Sequence, residues 1–292
     1  KTGRPVAKNT LSDYKKTLAD LKEFRKNINF KDIDRTFYKD FVLFLTKKRS
    51  KKYPNGLSKN TIGKKIKVLK TFLNAATPEY LSSDQHKGFS VLTEESQNVY
   101  LSVGELQKFY ELDLTEKPHL DRVRDLFLIG CWTGLRFSDL HKVTDTHGFI
   151  NLQQTKTGQS VVIPIHPTVK AILDKYEGEL PKPISNQKFN EYLKEIARLA
   201  DLKEAITKQT TRAGKIRTII KPKWQMVTSH TARRSFATNA YKQGIPSITI
   251  MAITGHRTET SFLKYIKVTP QEHAERMRDI WLESGSYLKV AK

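Results

Sequence analysis

The chain has 292 residues with 52 Lys+Arg against 30 Asp+Glu, a net charge of +22, and one cysteine. Such an excess of positive charge points to a polyanionic partner, and the length suits two domains. The lone Cys131, in the apolar run LFLIGCW, excludes an internal disulfide; the absence of any apolar stretch of 18 residues and of a signal peptide gives no membrane partner.

The charge is front-loaded. Residues 1–90 hold 22 Lys+Arg and 8 Asp+Glu, leaving +14 of the +22 there, which marks a basic first domain. Leu11, Tyr14, Leu18, Leu21 and Phe24 recur at helical spacing, and Phe37, Phe41, Phe44 and Leu45 form a second apolar face. After the basic run KKRSKKYPNG, the residues Ile62, Ile66, Leu69 and Leu73 predict a third helix capped by Ser58. Its other faces carry Lys59, Lys64, Lys65, Lys67 and Lys70. These lysines read either as a solvated face or as phosphate contacts, which give affinity and register but no base reading.

Periodicity breaks over residues 77–101. The division drawn is a helical DNA-binding domain over 1–82, a linker over 83–101 and a second domain over 102–292. Ser102 and Glu105 form a predicted capping box. An apolar helix follows from Leu120 to Trp132 and stops at Thr133-Gly134. Arg136 comes next, at the expected start of a helix FSDLHKV, where it can meet a phosphate oxygen or pair with Asp139 on the surface. FINLQQ and SVVIPI alternate as a β-hairpin with Lys156 beside its turn. A lysine there can protonate a leaving alkoxide once its surroundings lower its affinity for the proton.

A helix is expected over 186–200. From Ala205 to Ser229 there is no acid, and Lys208, Arg212, Lys215, Arg217, Lys221 and Lys223 lie in it. This segment reads as an extended basic ribbon along phosphates, or as a disordered basic loop. In SHTARRSFATNAYKQG, Ser229 is the expected cap and Gly244 the expected stop. His230 and Arg233, three apart, share the face of the first turn, while Arg234 points elsewhere. Gly255-His256 ends a short apolar helix, and Tyr265 follows nine residues later. Tyr241 and Tyr287 have no histidine at that spacing.

Two arginines, two histidines and a lysine can surround one phosphate, and a tyrosine beside them can attack it once a base takes its proton. A metal site has no support in the residues: the eight histidines form no tight cluster, and no paired acidic motif appears.

The order R…K…H-x-x-R…G-H…Y, carried by TGLRFSDL, QQTKTG, HTARRSFAT and ITGH…Y, resembles the tyrosine recombinases, or phage-type integrases. In style it is similar to the conjugative-transposon integrases of Bacteroides-type bacteria. Asp139 stands where many members have Glu. The resemblance spans essentially the whole chain and implies a mainly α protein with a small β-sheet: a helical core-binding domain followed by an α+β catalytic domain over 102–292. It implies a site-specific recombinase acting on double-stranded DNA at attachment sites, integrating or excising a mobile element. Tyr265 would form a 3′-phosphotyrosine, Arg136 and Arg233 would bind the non-bridging oxygens, and Lys156 would be the general acid. His230 would handle the tyrosine proton and His256 would hydrogen-bond the phosphate, with Asp139 in support. No metal, nucleotide or other cofactor is expected, because the cations do the work metal ions do elsewhere.

The resemblance further implies a homotetramer on DNA, DNA-bending accessory proteins, and a cytoplasmic location at the bacterial nucleoid. Such integrases often carry an extra N-terminal arm-binding domain, which would lie ahead of Lys1. The tail helix, with Met277, Ile280, Trp281 and Leu282, either docks on a neighbouring subunit or packs on its own domain. A type IB topoisomerase-like relaxing enzyme and a non-catalytic DNA-binding protein are the alternatives.

Overall fold

The computed structural model describes residues 6–51, 53–80, 86–181 and 184–283; Tyr287 lies outside them. The chain forms two compact units, one of residues 1–97 with Thr207–Ile220, the other of residues 98–206 with 221–292.

In the first unit, helices α1 (Lys8–Phe24), α2 (Arg35–Lys47) and α3 (Lys59–Tyr80) pack together. The periodic apolar residues make the core: Phe37, Phe41 and Leu45 from α2 close on Ile62, Ile66, Leu69 and Leu73 from α3. Phe24 fills the corner, its ring 5.3–5.4 Å from those of Phe37, Phe41 and Phe44. Asp34 caps α2 by accepting from Phe37 N, and Ser58 Oγ accepts from Thr61 N at the start of α3. Two expectations shift. Helix α3 runs on to Tyr80, into the stretch read as the start of a connection. Leu11 and Leu18, read as part of the apolar face of α1, stay 46% and 52% exposed, while Tyr14, Thr17, Asp20, Leu21 and Phe24 face the other helices.

The second unit is built around α5 (Pro118–Thr133), which α4 (Val103–Tyr110) precedes. Helix α5 is buried on nearly every side: its second half, LFLIGCW, is apolar all round, and in its first half Arg124 and Asp125 are buried as a pair. Strands β1 (Phe149–Gln153) and β2 (Ser160–Pro164) pair antiparallel, with Ile150 opposite Ile163 and Leu152 opposite Val161. Helices α6 (Pro167–Lys175) and α7 (Asn186–Leu199) also pack on α5. After strands β3 (Ala205–Arg212) and β4 (Lys215–Pro222) come α8 (Ser229–Lys242), α9 (Ser247–Thr254), α10 (Glu259–Leu263) and α11 (Pro270–Glu283). Among the described residues no helix is long and apolar enough to cross a membrane. The architecture is mainly α with two small two-stranded sheets, as expected.

The basic stretch after Ala205 is a two-stranded hairpin. Ala213 and Gly214 turn it with φ of 51° and 74°, the positive pair of a tight two-residue turn. Its turn end belongs to the first unit: Thr211 N donates to Glu94 (2.9 Å) and Arg212 Nη1 to Gly56 O (3.2 Å). The ladder satisfies the backbone groups that an extended single ribbon would leave to water.

Candidate active site

Four helix ends and one hairpin position the site. Helix α5 stops where Gly134 takes φ 67°, and α9 stops where Gly255 takes φ 67°. Each left-handed glycine turns the chain away and leaves helix carbonyls without intrahelical partners. Arg233, fully buried on α8, supplies the missing donors: Nη1 to Gly134 O and Nη2 to Thr254 O, both at 2.6 Å. A cation at the negative ends of two helices is well placed. Its Nε, also buried, has no hydrogen-bond partner among the described residues.

Helix α8 begins at Ser229, and the cap is Thr228, one residue earlier than expected. Thr228 and Thr231 form the capping box, and Ser229 N donates instead to Asn190 Oδ1 (2.7 Å). His230 thereby sits exposed on the first turn. Arg234 turns the other way, to Val99 O and Asn98 Oδ1, both 3.3 Å.

Arg136 opens a 3-10 turn, Phe137–Lys142, where an α-helix was expected. Its Nη1 donates to Gln154 Oε1 in a short bond. Asp139 is fully buried, and its Oδ1 accepts from Thr155 N (2.9 Å) and Thr155 Oγ1. The surface pair of Arg136 with Asp139 is not formed: the carboxylate hydrogen-bonds Thr155 and so ties the 3-10 turn to the hairpin.

His256 lies beside Arg233, Nε2 to Nη2 at 3.2 Å, and its ring is 4.8 Å from that of Tyr265. Thr254 Oγ1 already donates to Ile250 O (2.6 Å), so at 2.7 Å it accepts from His256 Nδ1. The proton is thus assigned to Nδ1, and Nε2 accepts from Arg233. Burial, then Arg233 and Arg136, pull the His256 pKa down to about 4. Desolvation and the charges of Arg234, Lys156, Arg233 and Arg136 also lower that of His230. Burial and Arg136 hold the Arg233 guanidinium below its ordinary value; it remains a cation at neutral pH.

Tyr265 follows α10 in a turn closed by Tyr265 N to Phe262 O (2.8 Å), and its own carbonyl accepts from Thr238 Oγ1 (3.1 Å). The ring packs beside Phe262 and Ile250, half-buried, with the Arg233 guanidinium 5.5 Å above its centre. The rival Tyr241 instead meets Arg276 and His273.

The fold thus gathers Arg136, Arg233, His256 and Tyr265, while Lys156 and His230 stand exposed at the rim. Lys156 is carried on the turn between β1 and β2. Among the described residues no three His, Cys, Asp or Glu side chains gather to hold a metal ion. The residue that sequence reasoning missed is Gln154, 1% exposed and bonded to Arg136 and to Thr254 O. Its signal was present. Ile150 and Leu152 point inward, so the next inward position, two residues on, holds a polar side chain where an apolar one belongs.

The eight basic residues singled out for DNA lie elsewhere, all in the first unit. Lys64 pairs with Asp13 (2.7 Å), Lys65 with buried Asp20, and Lys70 donates to Phe89 O (2.6 Å). Acids on α1 supply partners that a reading of α3 alone could not see. Lys59 and Lys67 make no ion pair among the described residues. On the hairpin, Lys215 is exposed, Arg217 donates to Asn55 Oδ1 (3.2 Å) and Arg212 to Gly56 O.

Residues 1–91 match the phage integrase SAM-like domain, and residues 100–272 match the phage integrase family. The chain belongs to the phage integrase family, the tyrosine recombinases. It is 25% identical to the tyrosine recombinase XerD of Oceanobacillus iheyensis, over 95% of this chain and 92% of that protein. Its fold is similar to that of the Tn1549 transposon integrase in complex with transposon right end DNA (TM-score 0.65, 17% identity, 94% of each chain). It is also similar to a lambda integrase tetramer bound to a Holliday junction (TM-score 0.60, 16% identity, 91% of this chain and 73% of that one). As a family member it is a DNA recombinase, an enzyme with DNA as its partner.

Proposed function

We propose that this recombinase cuts and rejoins DNA through a 3′-phosphotyrosine at Tyr265, integrating or excising a mobile element. The observation that carries the reading is the meeting of Arg233, His256 and Tyr265 over two helix ends, with Arg136 held beside them by Gln154.

The tyrosine oxygen attacks the scissile phosphorus, the bond to the 5′-oxygen breaks, and a 5′-hydroxyl leaves. Arg136 and Arg233 bind the non-bridging oxygens; the buried Nε of Arg233 is a donor already stripped of water for that purpose. Neutral His230 takes the tyrosine proton, and its lowered pKa keeps it unprotonated near pH 7. Lys156 gives a proton to the leaving oxygen. His256 steadies Arg233 through Nε2 and gives its Nδ1 proton to Thr254 Oγ1; a hydrogen bond from this ring to the phosphate requires the proton to move to Nε2. Because the phosphotyrosine conserves bond energy, a different 5′-hydroxyl reverses the step and strands are exchanged.

The first unit and its hairpin are assigned to backbone contacts with duplex DNA, through Lys59, Lys67 and Lys215, with Arg212 and Arg217 placing the hairpin and Lys64, Lys65 and Lys70 behind them. A homotetramer on two duplexes, helped by DNA-bending proteins at the nucleoid, completes the reading. Met277 and Leu282, 48% and 74% exposed on α11, give a neighbouring subunit something to bury.

The test is a nicked suicide duplex of a candidate attachment site, without metal. Wild type is expected to give a covalent adduct on a denaturing gel, and Tyr265→Phe none. Tight DNA binding with no wild-type adduct would leave a binding protein, and supercoil relaxation without recombinants would favour the topoisomerase-like alternative.

A further inference from the structure

Gln154 is joined to Arg136, to the helix end that Arg233 holds and to the turn that carries Lys156. Its Oε1 accepts from Arg136 Nη1 and from Thr157 Oγ1 (3.0 Å). Its Nε2 donates to Thr254 O (2.9 Å), the same carbonyl that takes Arg233 Nη2. Its backbone closes the hairpin turn: Gln154 N donates to Gln159 O and Gly158 N to Gln154 O, both 2.9 Å. Lys156 stands inside that turn. Gly255 makes room, since a Cβ there would lie 2.7 Å from Gln154 Nε2.

A buried amide needs partners, and many residues could satisfy one. What this amide adds is a link of fixed length between Arg136, the Thr254 carbonyl that also takes Arg233, and the turn that carries Lys156. Among the hydrogen bonds of the described residues, the side chains of Arg136 and Arg233 reach the turn that carries Lys156 only through Gln154, which Thr157 braces; another tie to that turn, Asp139 to Thr155, involves neither guanidinium. An apolar side chain would fill the same space without holding any of them.

We propose that Gln154 is a positioning residue that couples the arginine pair to the turn bearing Lys156, so that phosphate clamp and proton donor assemble as one unit. This rests on the phosphotyrosine reading above. Displacing a catalytic group by about 1 Å can cost roughly 10²-fold in rate, so loss of the link acts on both groups at once.

The test uses Gln154→Met, which keeps the volume and removes the hydrogen bonds, on two suicide duplexes. One has the ordinary phosphate; the other has sulfur in place of the 5′-bridging oxygen. With sulfur, the tyrosine O–P bond forms and the P–S bond breaks. The thiolate leaves with the electron pair and needs no proton, so Lys156 is bypassed. The expected result is a loss of about 10²-fold on the ordinary duplex, of which at least about tenfold is recovered on the sulfur duplex. Lys156→Ala should be rescued in the same way. Melting temperature and DNA affinity should stay near wild type.

A wild-type rate on the ordinary duplex, or an equal loss on both duplexes, would overturn the coupling. If the Met variant does not fold, Gln154→Glu carries the same comparison. It keeps the acceptors for Arg136 and Thr157 but not the donor to Thr254 O, so a smaller loss with the same rescue is expected. A wild type that forms no adduct with either duplex would instead remove the phosphotyrosine reading itself.

Discussion

Arg233 Nη2 reaches Thr254 O at 2.6 Å and His256 Nε2 at 3.2 Å. One guanidinium group therefore holds a helix end and an imidazole together, and burial, then the arginines beside it, keep that imidazole neutral.

That neutrality has a consequence for stability against pH. His256 has an ordinary value of 6.5 and is held near 4 in the folded chain, by burial and then by Arg233 and Arg136. Between those values the unfolded chain binds a proton that the folded chain refuses. Stability is complete above pH 6.5 and is lost as pH falls toward 4. His230, also lowered, adds a contribution of the same sign. Thermal melts at steps from pH 7 to 4 should show the midpoint falling over that window, and His256→Gln should flatten part of the fall. An unchanged slope in the variant would contradict the account.

The two arginines separate by stability although both serve the phosphate. Arg233→Ala leaves Gly134 O without a donor, Thr254 O with Gln154 Nε2 alone, and a cavity where a fully buried side chain stood, so a loss of about 2–4 kcal/mol is expected in urea unfolding. Arg136 is half-buried and bonds Gln154, so Arg136→Ala should cost about 1 kcal/mol. Adduct formation should drop in both by about 10²–10³-fold. Equal destabilisation of the two would sink the distinction.

The lysines of α3 separate in the same manner. Lys67 is exposed and makes no ion pair among the described residues, so Lys67→Ala should lower the salt slope of DNA binding by about 1 with stability nearly unchanged. Lys65 pairs with Asp20, which is 6% exposed. Removing it leaves that carboxylate to Lys48 alone, and Lys65→Ala should destabilise the protein by about 1–3 kcal/mol. Salt-titrated binding curves and urea midpoints on both variants check this.

Local chemistry is what the amino-acid sequence determined by itself. Helical spacing located α2 and α3, a continuous apolar run located α5, expected cap and stop residues located α8, alternation located the β1–β2 hairpin, and Ser102 and Glu105 form the capping box expected of them. Each of the six residues singled out for chemistry was picked out beside a local mark: Gly134 before Arg136, the hairpin turn around Lys156, a helix start at His230 and Arg233, Gly255 before His256, and the nine-residue spacing to Tyr265. Partnerships across the chain were decided only by the tertiary structure. Asp139 answers Thr155, the lysines of α3 answer acids on α1, and the hairpin end answers Glu94. Gln154 was overlooked because its worth lies in bonds to residues 18 and 100 positions away. Periodicity reports which side of an element is buried, since burial follows from each residue's own polarity. It cannot report which distant donor meets which acceptor, because that depends on how the elements close around one another.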